Sequence, residues 1–311
     1  MNILLTGSAS HLAKVLLPQL CNHDGIKSII GIDLKKSHFF HPKFKEIIAD
    51  IRDKNLEKHF ENVDQVIHLA FIVLRSNLKK QRKNRTLIYD INVNGSLNII
   101  NLANIAKIKK FIHMSSAVVY GPQSYSNATY CENTSRQNFT NFAYAEDKNT
   151  VEDEIEKIET TSNMQFIRFR PHVIVGHHCQ PFLRHLIKQP FYPKLPNPQP
   201  LIQCVWENDV AQAIILALFS NAEGTFNLAA NNPVSFKDII RLNKIALSIP
   251  HPLIKVLHNF SWKLTGIFEE PGWLNATQHS LILNTNKATK VLKWRPSIDA
   301  ITCIKQTREH F

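Results

Sequence analysis

"MNILLTGSASHLAKVLL", residues 1–17, is the stretch on which the fold turns. Asn2–Thr6 is a short apolar run, Gly7 opens a turn, and Leu12, Leu16 and Leu20 then fall on one helical stripe. The stretch therefore reads strand, tight loop, helix. Pro18, inside the stripe, predicts a kink or an early end to that helix. A strand turning sharply into a helix aims backbone N–H groups and the helix's positive end at one point, which suits a diphosphate. Three glycines ordinarily build such a loop: one for the turn, one for backbone approach to phosphate, one for helix–strand packing. Gly7 supplies the first. Ser10 stands in the second place, where its side chain crowds a phosphate but its hydroxyl can donate to it. Ala13 fills the third and is nearly as small as glycine. Gly7, Ser10, His11 and Leu12 are the expected cofactor-binding residues of this loop.

Outward from this loop, Ser28–Asp33, Glu46–Asp50, Gln65–Ala70, Lys110–Ser116, Met164–Pro171 and Gly224–Ala229 read as further strands. Helical patterns intervene, notably from Ile88 and from Asp209. Near-continuous apolar strands separated by helices predict a parallel sheet covered on both faces, with right-handed crossovers. Asp33 ends the second strand near the ~20-residue spacing of a ribose-binding carboxylate. Its charge would repel a 2′-phosphate and favours NAD, while Lys35 and Lys36 leave NADP open.

The 311 residues are 44% hydrophobic and 20% charged, as in an ordinary soluble globular protein. No cationic flank precedes the first apolar run, so no signal peptide is expected. The longest apolar run, "AIILALF" from Ala213, is too short to span a bilayer. Five scattered cysteines with no CxxC pair argue for reduced thiols and a cytoplasmic protein. A net charge of +12 is concentrated in Arg75–Arg85 and Lys107–Lys110. Without interleaved aromatics these read as solvated faces, and no nucleic-acid partner is expected. "QPFYPKLPNPQP" (189–200) reads as an extended lobe or lid. In 252–268 the stripe Leu253, Leu257, Phe260, Leu264, Ile267 predicts a core-facing helix rather than a membrane-surface one. His177, His178, Cys179 and His185 match no zinc spacing; that loop is expected to border a substrate cleft and to hold no metal.

The sharpest chemical signal is "YAEDK". Tyr144 and Lys148, four apart, share a face of the helix that Val151, Ile155 and Ile158 continue. An ammonium near a phenol favours the phenolate, so the pair predicts a tyrosine acid/base of lowered pKa. "MSSAVVYG" (114–121) follows a strand and adds Ser116.

Together "TGSASHLA", "GIDL", "ADIRD", "VIHLAF", "INVNGSLNII", "FIHMSSAVVYG", "YAEDK", "FRPHVIVG", "ENDVAQAI", "FNLA" and "LNTNKATKVLKWRP" run nearly end to end. In that order they resemble the extended short-chain dehydrogenase/reductase family, the NAD-dependent epimerase/dehydratase group, and within it the UDP-glucose 4-epimerase-like subgroup. The resemblance implies an α/β fold: a Rossmann-type doubly wound parallel sheet with a smaller, mostly helical C-terminal substrate domain. Residues 1–172 and 201–230 would form the NAD-binding part, 173–200 and 231–311 the substrate-binding part. It implies Tyr144 as acid/base, Lys148 on the nicotinamide ribose and lowering the tyrosine pKa, and Ser116 on the substrate oxygen. Asp33 would take the adenosine ribose, Asp50 and Ile51 flank adenine, Leu69 and Ala70 line the cofactor cleft, and Asn92 lie beside the active site. Asp209 reads as structural. A homodimer through helices around Ile88–Ala106 and Tyr144–Ile158 is also implied.

Departures bear on the substrate. Val173 stands where nucleotide-sugar enzymes of the group carry asparagine, and no Arg or Lys falls between Lys263 and Lys287. Ala117 and Val118 replace the Asp-Glu pair of dehydratases and exchange no protons, which excludes dehydration by that route. The expected activity is hydride transfer at a hydroxyl-bearing carbon of a small molecule, a sugar derivative in the leading case. Epimerase and reductase stay open. The eroded glycine loop keeps open a non-catalytic NAD(P)-binding regulator.

Overall fold

The computed structural model describes residues 1–73, 85–122, 129–138, 141–188, 191–194, 199–242, 247–264 and 270–310. Seven strands form the central sheet: β1 (Asn2–Thr6), β2 (Ser28–Asp33), β3 (Phe44–Ile48), β4 (Gln65–His68), β5 (Lys110–Met114), β6 (Gln165–Pro171) and β7 (Gly224–Leu228). Their order is β3-β2-β1-β4-β5-β6-β7, and every pairing is parallel. This is the doubly wound Rossmann-type architecture the sequence predicts. The chain reverses its direction of build between β1 and β4, so a crevice lies above the carboxyl ends of those strands.

Successive residues of a strand point to opposite faces, and β1 shows the consequence. Leu5 joins the apolar layer under helices α1 (Ala13–Cys21) and α4 (Glu207–Leu218), with Leu16, Leu20, Ile214 and Trp294. Leu4 joins the opposite layer under α2 (Gly95–Ile105) and α3 (Ala143–Glu159), with Ile99, Val151, Ile155 and Phe166. Beyond β7 helices predominate, among them α5 (His251–Leu264), α6 (Pro271–Ala276) and α7 (Ala300–Glu309).

Several expectations need correction. α1 runs through Pro18 to Cys21; the carbonyl that Pro18 leaves without a helical donor belongs to exposed Lys14, within reach of water. β3 begins two residues before the expected Glu46, and Ala49 N–H already turns to Asp33 O at 3.0 Å. Lys110 is buried rather than solvated: its Nζ donates to Ala217 O at 2.8 Å and to Ser220 O, satisfying carbonyls at the end of α4. The α5 stripe does not face the core. Leu253, Leu257 and Phe260 are 50%, 54% and 63% exposed, while His251, Ile254, His258 and Asn259 are half-buried; the side chains of Leu264 and Ile267 lie outside the described residues. A periodic stripe marks a face but not which face meets the body. No described helix is long and apolar enough to cross a membrane. Most of 75–85 lies outside the described residues, as do 189–190 and 195–198 of the proline-rich stretch; Phe191–Lys194 is a strand parallel to Leu247–Pro250.

Candidate active site

The loop after β1 is held by its neighbours. Gly7 has φ +74°, and a Cβ there would stand 2.7 Å from Ala70 N and 2.8 Å from Leu69 C. Only glycine meets both demands. Leu69 N–H donates to Thr6 O at 3.1 Å, so the loops following β1 and β4 lie side by side. Beneath them buried His68 bridges Thr6 Oγ1 (2.6 Å) and Ser96 Oγ (2.9 Å); burial lowers its pKa to about 3 and keeps it neutral. Ser10 Oγ accepts Ala13 N–H at 3.2 Å. The hydroxyl thus completes the start of α1 and keeps its own proton free to donate. Ala13 is wholly buried, where a larger side chain would lift α1 off the sheet. His11 and Leu12 are half-buried at the same turn.

Asp33 accepts Ala9 N–H (3.0 Å, Oδ2) and Lys35 N–H (3.1 Å, Oδ1). Each carboxylate oxygen has a further lone pair for a hydroxyl. Buried Ser8 Oγ, in the same loop, has no hydrogen-bond partner. A helix N-terminus, a serine hydroxyl and a ribose-range carboxylate converge here, and this donor set fits a dinucleotide. Asp50 is engaged by Arg52 through Nε–Oδ1 (3.0 Å) and Nη2–Oδ2 (2.6 Å), and Arg52 also holds Asp90. Ile51 is buried against Gly95.

Across the crevice, Tyr144 and Lys148 rise from the first turns of α3 with Lys148 Nζ 6.0 Å from the phenol ring centroid. The ammonium donates to Met114 O at 2.6 Å, at the end of β5, and lies 3.5 Å above the ring of Phe71. Burial drives Lys148 down to about 7, against the upward pull of Glu152 and Asp147. Burial raises Tyr144 to about 12, and the hydrogen bond shared with Ser116 only partly offsets it. The physical reason is the aromatic surround, since Tyr144 meets Phe71 edge-on at 5.6 Å, Phe142 at 6.0 Å, and Trp273 in a stack at 5.8 Å. Ser116 opens the short 3₁₀ turn Ala117–Tyr120, accepting Val118 N–H at 3.3 Å.

Asn92 lies in a π-helical turn, Asp90–Asn94, just before α2. It pairs with Ile72 through both its amide atoms (2.8 and 3.0 Å) and donates to Asp147 Oδ2 at 2.9 Å. It thereby ties the loop after β4 to the residue preceding Lys148. Asp147 is also gripped by Arg85, at 2.6 Å from Nη2 and 3.3 Å from Nη1. One turn on, Glu152 binds Ser115 Oγ and the Arg170 guanidinium, joining α3 to β5 and β6. Sequence reading missed these partners. Glu152 had a signal, being four residues beyond Lys148 on the same face; Phe71, Glu270 and Trp273 had none, since only folding brings them to Tyr144.

His177, of the histidine-rich loop, stacks on His310 at 4.0 Å and meets Trp206 edge-on. Among the described residues no three His, Cys, Asp or Glu side chains converge as a metal site. Asp209 accepts Ser297 N–H (3.0 Å) through its carboxylate and the Trp294 indole N–H (2.8 Å) through its carbonyl, an anchor for the chain after β7.

Residues 3–229 match the model of the NAD dependent epimerase/dehydratase family. Over 317 residues the chain is 25% identical to a putative UDP-glucose 4-epimerase of Methanocaldococcus jannaschii, covering 98% of this chain and 96% of that protein. Among solved structures it resembles the UDP-glucose 4-epimerase of Thermotoga maritima with UDP-glucose (TM-score 0.76, 19% identity, 100% and 98% covered). It also resembles the UDP-glucuronic acid 4-epimerase of Bacillus cereus in complex with NAD (TM-score 0.74, 17% identity, 100% and 98% covered).

Proposed function

Because the chain belongs to the NAD-dependent epimerase/dehydratase family, we propose that it is a sugar-nucleotide epimerase in which Tyr144 is the acid/base. The supporting observation is that Ser116 hydrogen-bonds Tyr144, while Lys148 Nζ stands 6.0 Å from the phenol ring and 3.5 Å from the ring of Phe71, the residue after the Ala70 against which Gly7 packs. UDP-sugar epimerases among its relatives and fold neighbours support the substrate class. Gly7, Ser10, His11, Leu12 and Asp33 would hold the diphosphate and adenosine ribose. Asp50, Ile51, Leu69, Ala70 and Asn92 would border the remainder of the cleft, and Lys148 the second ribose. When bound, NAD supplies a hydride acceptor that also returns the hydride.

The chain's own part is proton transfer and positioning. Tyr144 takes the proton of the substrate hydroxyl and gives it back after the carbon has inverted. Ser116, hydrogen-bonded to the phenol, orients the same oxygen. At about 12 the phenol by itself holds its proton too tightly at neutral pH. Lys148 is the nearby cation, and positive charge brought against the ring lowers the cost of the phenolate further. Phe71, Phe142 and Trp273 keep the site dry, which magnifies each such charge. Ala117 and Val118 are buried and carry no proton to exchange, so elimination of water is not assigned.

The two lost glycines favour a second reading, a non-catalytic NAD(P)-binding regulator on the same fold. We also assign a homodimer through the helices at 88–106 and 144–158; Leu87, Tyr89 and Ile105 are exposed on or beside the first of them. Turnover of UDP-glucose and UDP-N-acetylglucosamine with NAD, in wild type and Tyr144→Phe, tests the assignment. Loss of at least about 100-fold in the variant, with NAD affinity retained, is expected; equal rates would overturn it, and binding without turnover would establish the regulator.

A further inference from the structure

The catalytic helix α3 starts without a cap of its own, since Phe142 at its N-terminus offers no side-chain hydrogen bond. A distant segment covers that end. Glu270, only 6% exposed, accepts Tyr144 N–H at 3.5 Å and the N–H of Ala143. Gly272 N–H donates to Asn141 O at 3.2 Å. At Gly272 an added Cβ would lie 2.3 Å from Phe142 Cβ, so the two segments are in direct contact. Trp273 then lies on the aromatic pair that follows: edge-on to Phe142 at 4.8 Å, and stacked on Tyr144 at 5.8 Å with 21° between the planes. Four consecutive residues thus hold both the backbone and the ring of Tyr144.

We propose that Glu270–Trp273 is the positioning element for the proposed acid/base: Glu270 anchors the backbone of Tyr144, and the indole of Trp273 fixes its ring against Ser116. The inference rests on the reading of Tyr144 as acid/base. The remote segment does two things that α3 cannot do for itself. It satisfies the first amides of the helix, which otherwise lack acceptors. It also removes rotational freedom from the phenol, whose hydroxyl must meet a bound substrate in one orientation. Phe71 supports the ring edge-on at 5.6 Å, leaving the broad face to Trp273. Trp273 is half-buried. It acts through Tyr144 and is a positioning residue.

The test compares Trp273→Leu, Trp273→Phe, Glu270→Gln and Glu270→Leu with wild type and Tyr144→Phe. NAD binding by calorimetry verifies that each variant is folded. In ¹³C-tyrosine-labelled protein, with Tyr144→Phe assigning the peak, Trp273→Leu should move the Tyr144 ring signal out of the indole's ring current. With UDP-glucose or UDP-N-acetylglucosamine, kcat should fall about tenfold or more in Trp273→Leu and Glu270→Leu while KM stays within about threefold. Trp273→Phe should restore part of the rate. Glu270→Gln should restore most of it, because the amide oxygen still accepts an N–H. An unmoved Tyr144 signal would overturn the proposal, as would an unchanged kcat or a change confined to KM. If Tyr144→Phe itself turns over normally, the acid/base reading fails instead, so the two failures are distinguishable.

Discussion

Lys148 shows how one residue's burial becomes a measurable pH effect. It is 3% exposed, and desolvation lowers its pKa from 10.5 to about 7. Between those values the unfolded chain binds more protons than the folded one, so stability rises with pH across the window. The cost of burying the ammonium is complete below pH 7 and fades toward 10.5. Lys148→Met should therefore raise stability by about 1–3 kcal/mol at pH 6 and by little at pH 10, with turnover lost. Asp147 and Glu152 keep Arg85 and Arg170 as partners in that variant. Chemical denaturation at the two pH values measures the difference; an equal effect at both would refute the burial argument.

At the scale of elements, the starts of α1 and α4 each depend on a single residue. The loop into α1 needs Gly7 for its φ and for its approach to Ala70. Gly7→Ala should cost about 2 kcal/mol or more, from positive-φ strain plus a backbone clash, and weaken NAD binding at least about tenfold by calorimetry. Without cofactor, Ser10→Ala costs the side-chain acceptor of Ala13 N–H, worth about 1 kcal/mol in thermal unfolding. At the start of α4, buried Glu207 accepts His178 N–H at 3.0 and 3.1 Å, and desolvation lifts it from 4.5 to about 7. A raised carboxyl contributes stability that is complete below pH 4.5 and is lost as pH rises through 7. Glu207→Gln should thus flatten the decline between pH 5 and 8, leaving the variant about 1–3 kcal/mol more stable than wild type at pH 8. A parallel pH dependence in both proteins would show that Glu207 does not titrate there.

For the whole molecule, the proposed dimer predicts light-scattering mass near twice the 35.7 kDa chain at micromolar concentration. A charged substitution at Ile105, 64% exposed, should lower that mass if the 88–106 helices meet. A wild-type mass of one chain would overturn the assembly.

What could be read before folding follows from local rules. The strand–loop–helix of residues 1–17, the alternation of apolar strands with helices, and Tyr144 four residues before Lys148 are all set by short-range periodicity and by the conformations glycine permits. Those rules suffice for the parallel sheet and the turn at Gly7. They mislead where a property depends on surroundings: Leu253, Leu257 and Phe260 of α5 face outward, and Lys110 is buried. Desolvation and the approach of Phe71, Glu270 and Trp273 belong to atoms far apart in the chain. Glu270 stands 126 positions from the amide it accepts. Sequence by itself determined the strand–helix alternation, the glycine turn and the helical spacing of Tyr144 and Lys148; the tertiary packing decided which distant groups surround them, because burial and contact exist only once the chain has closed on itself.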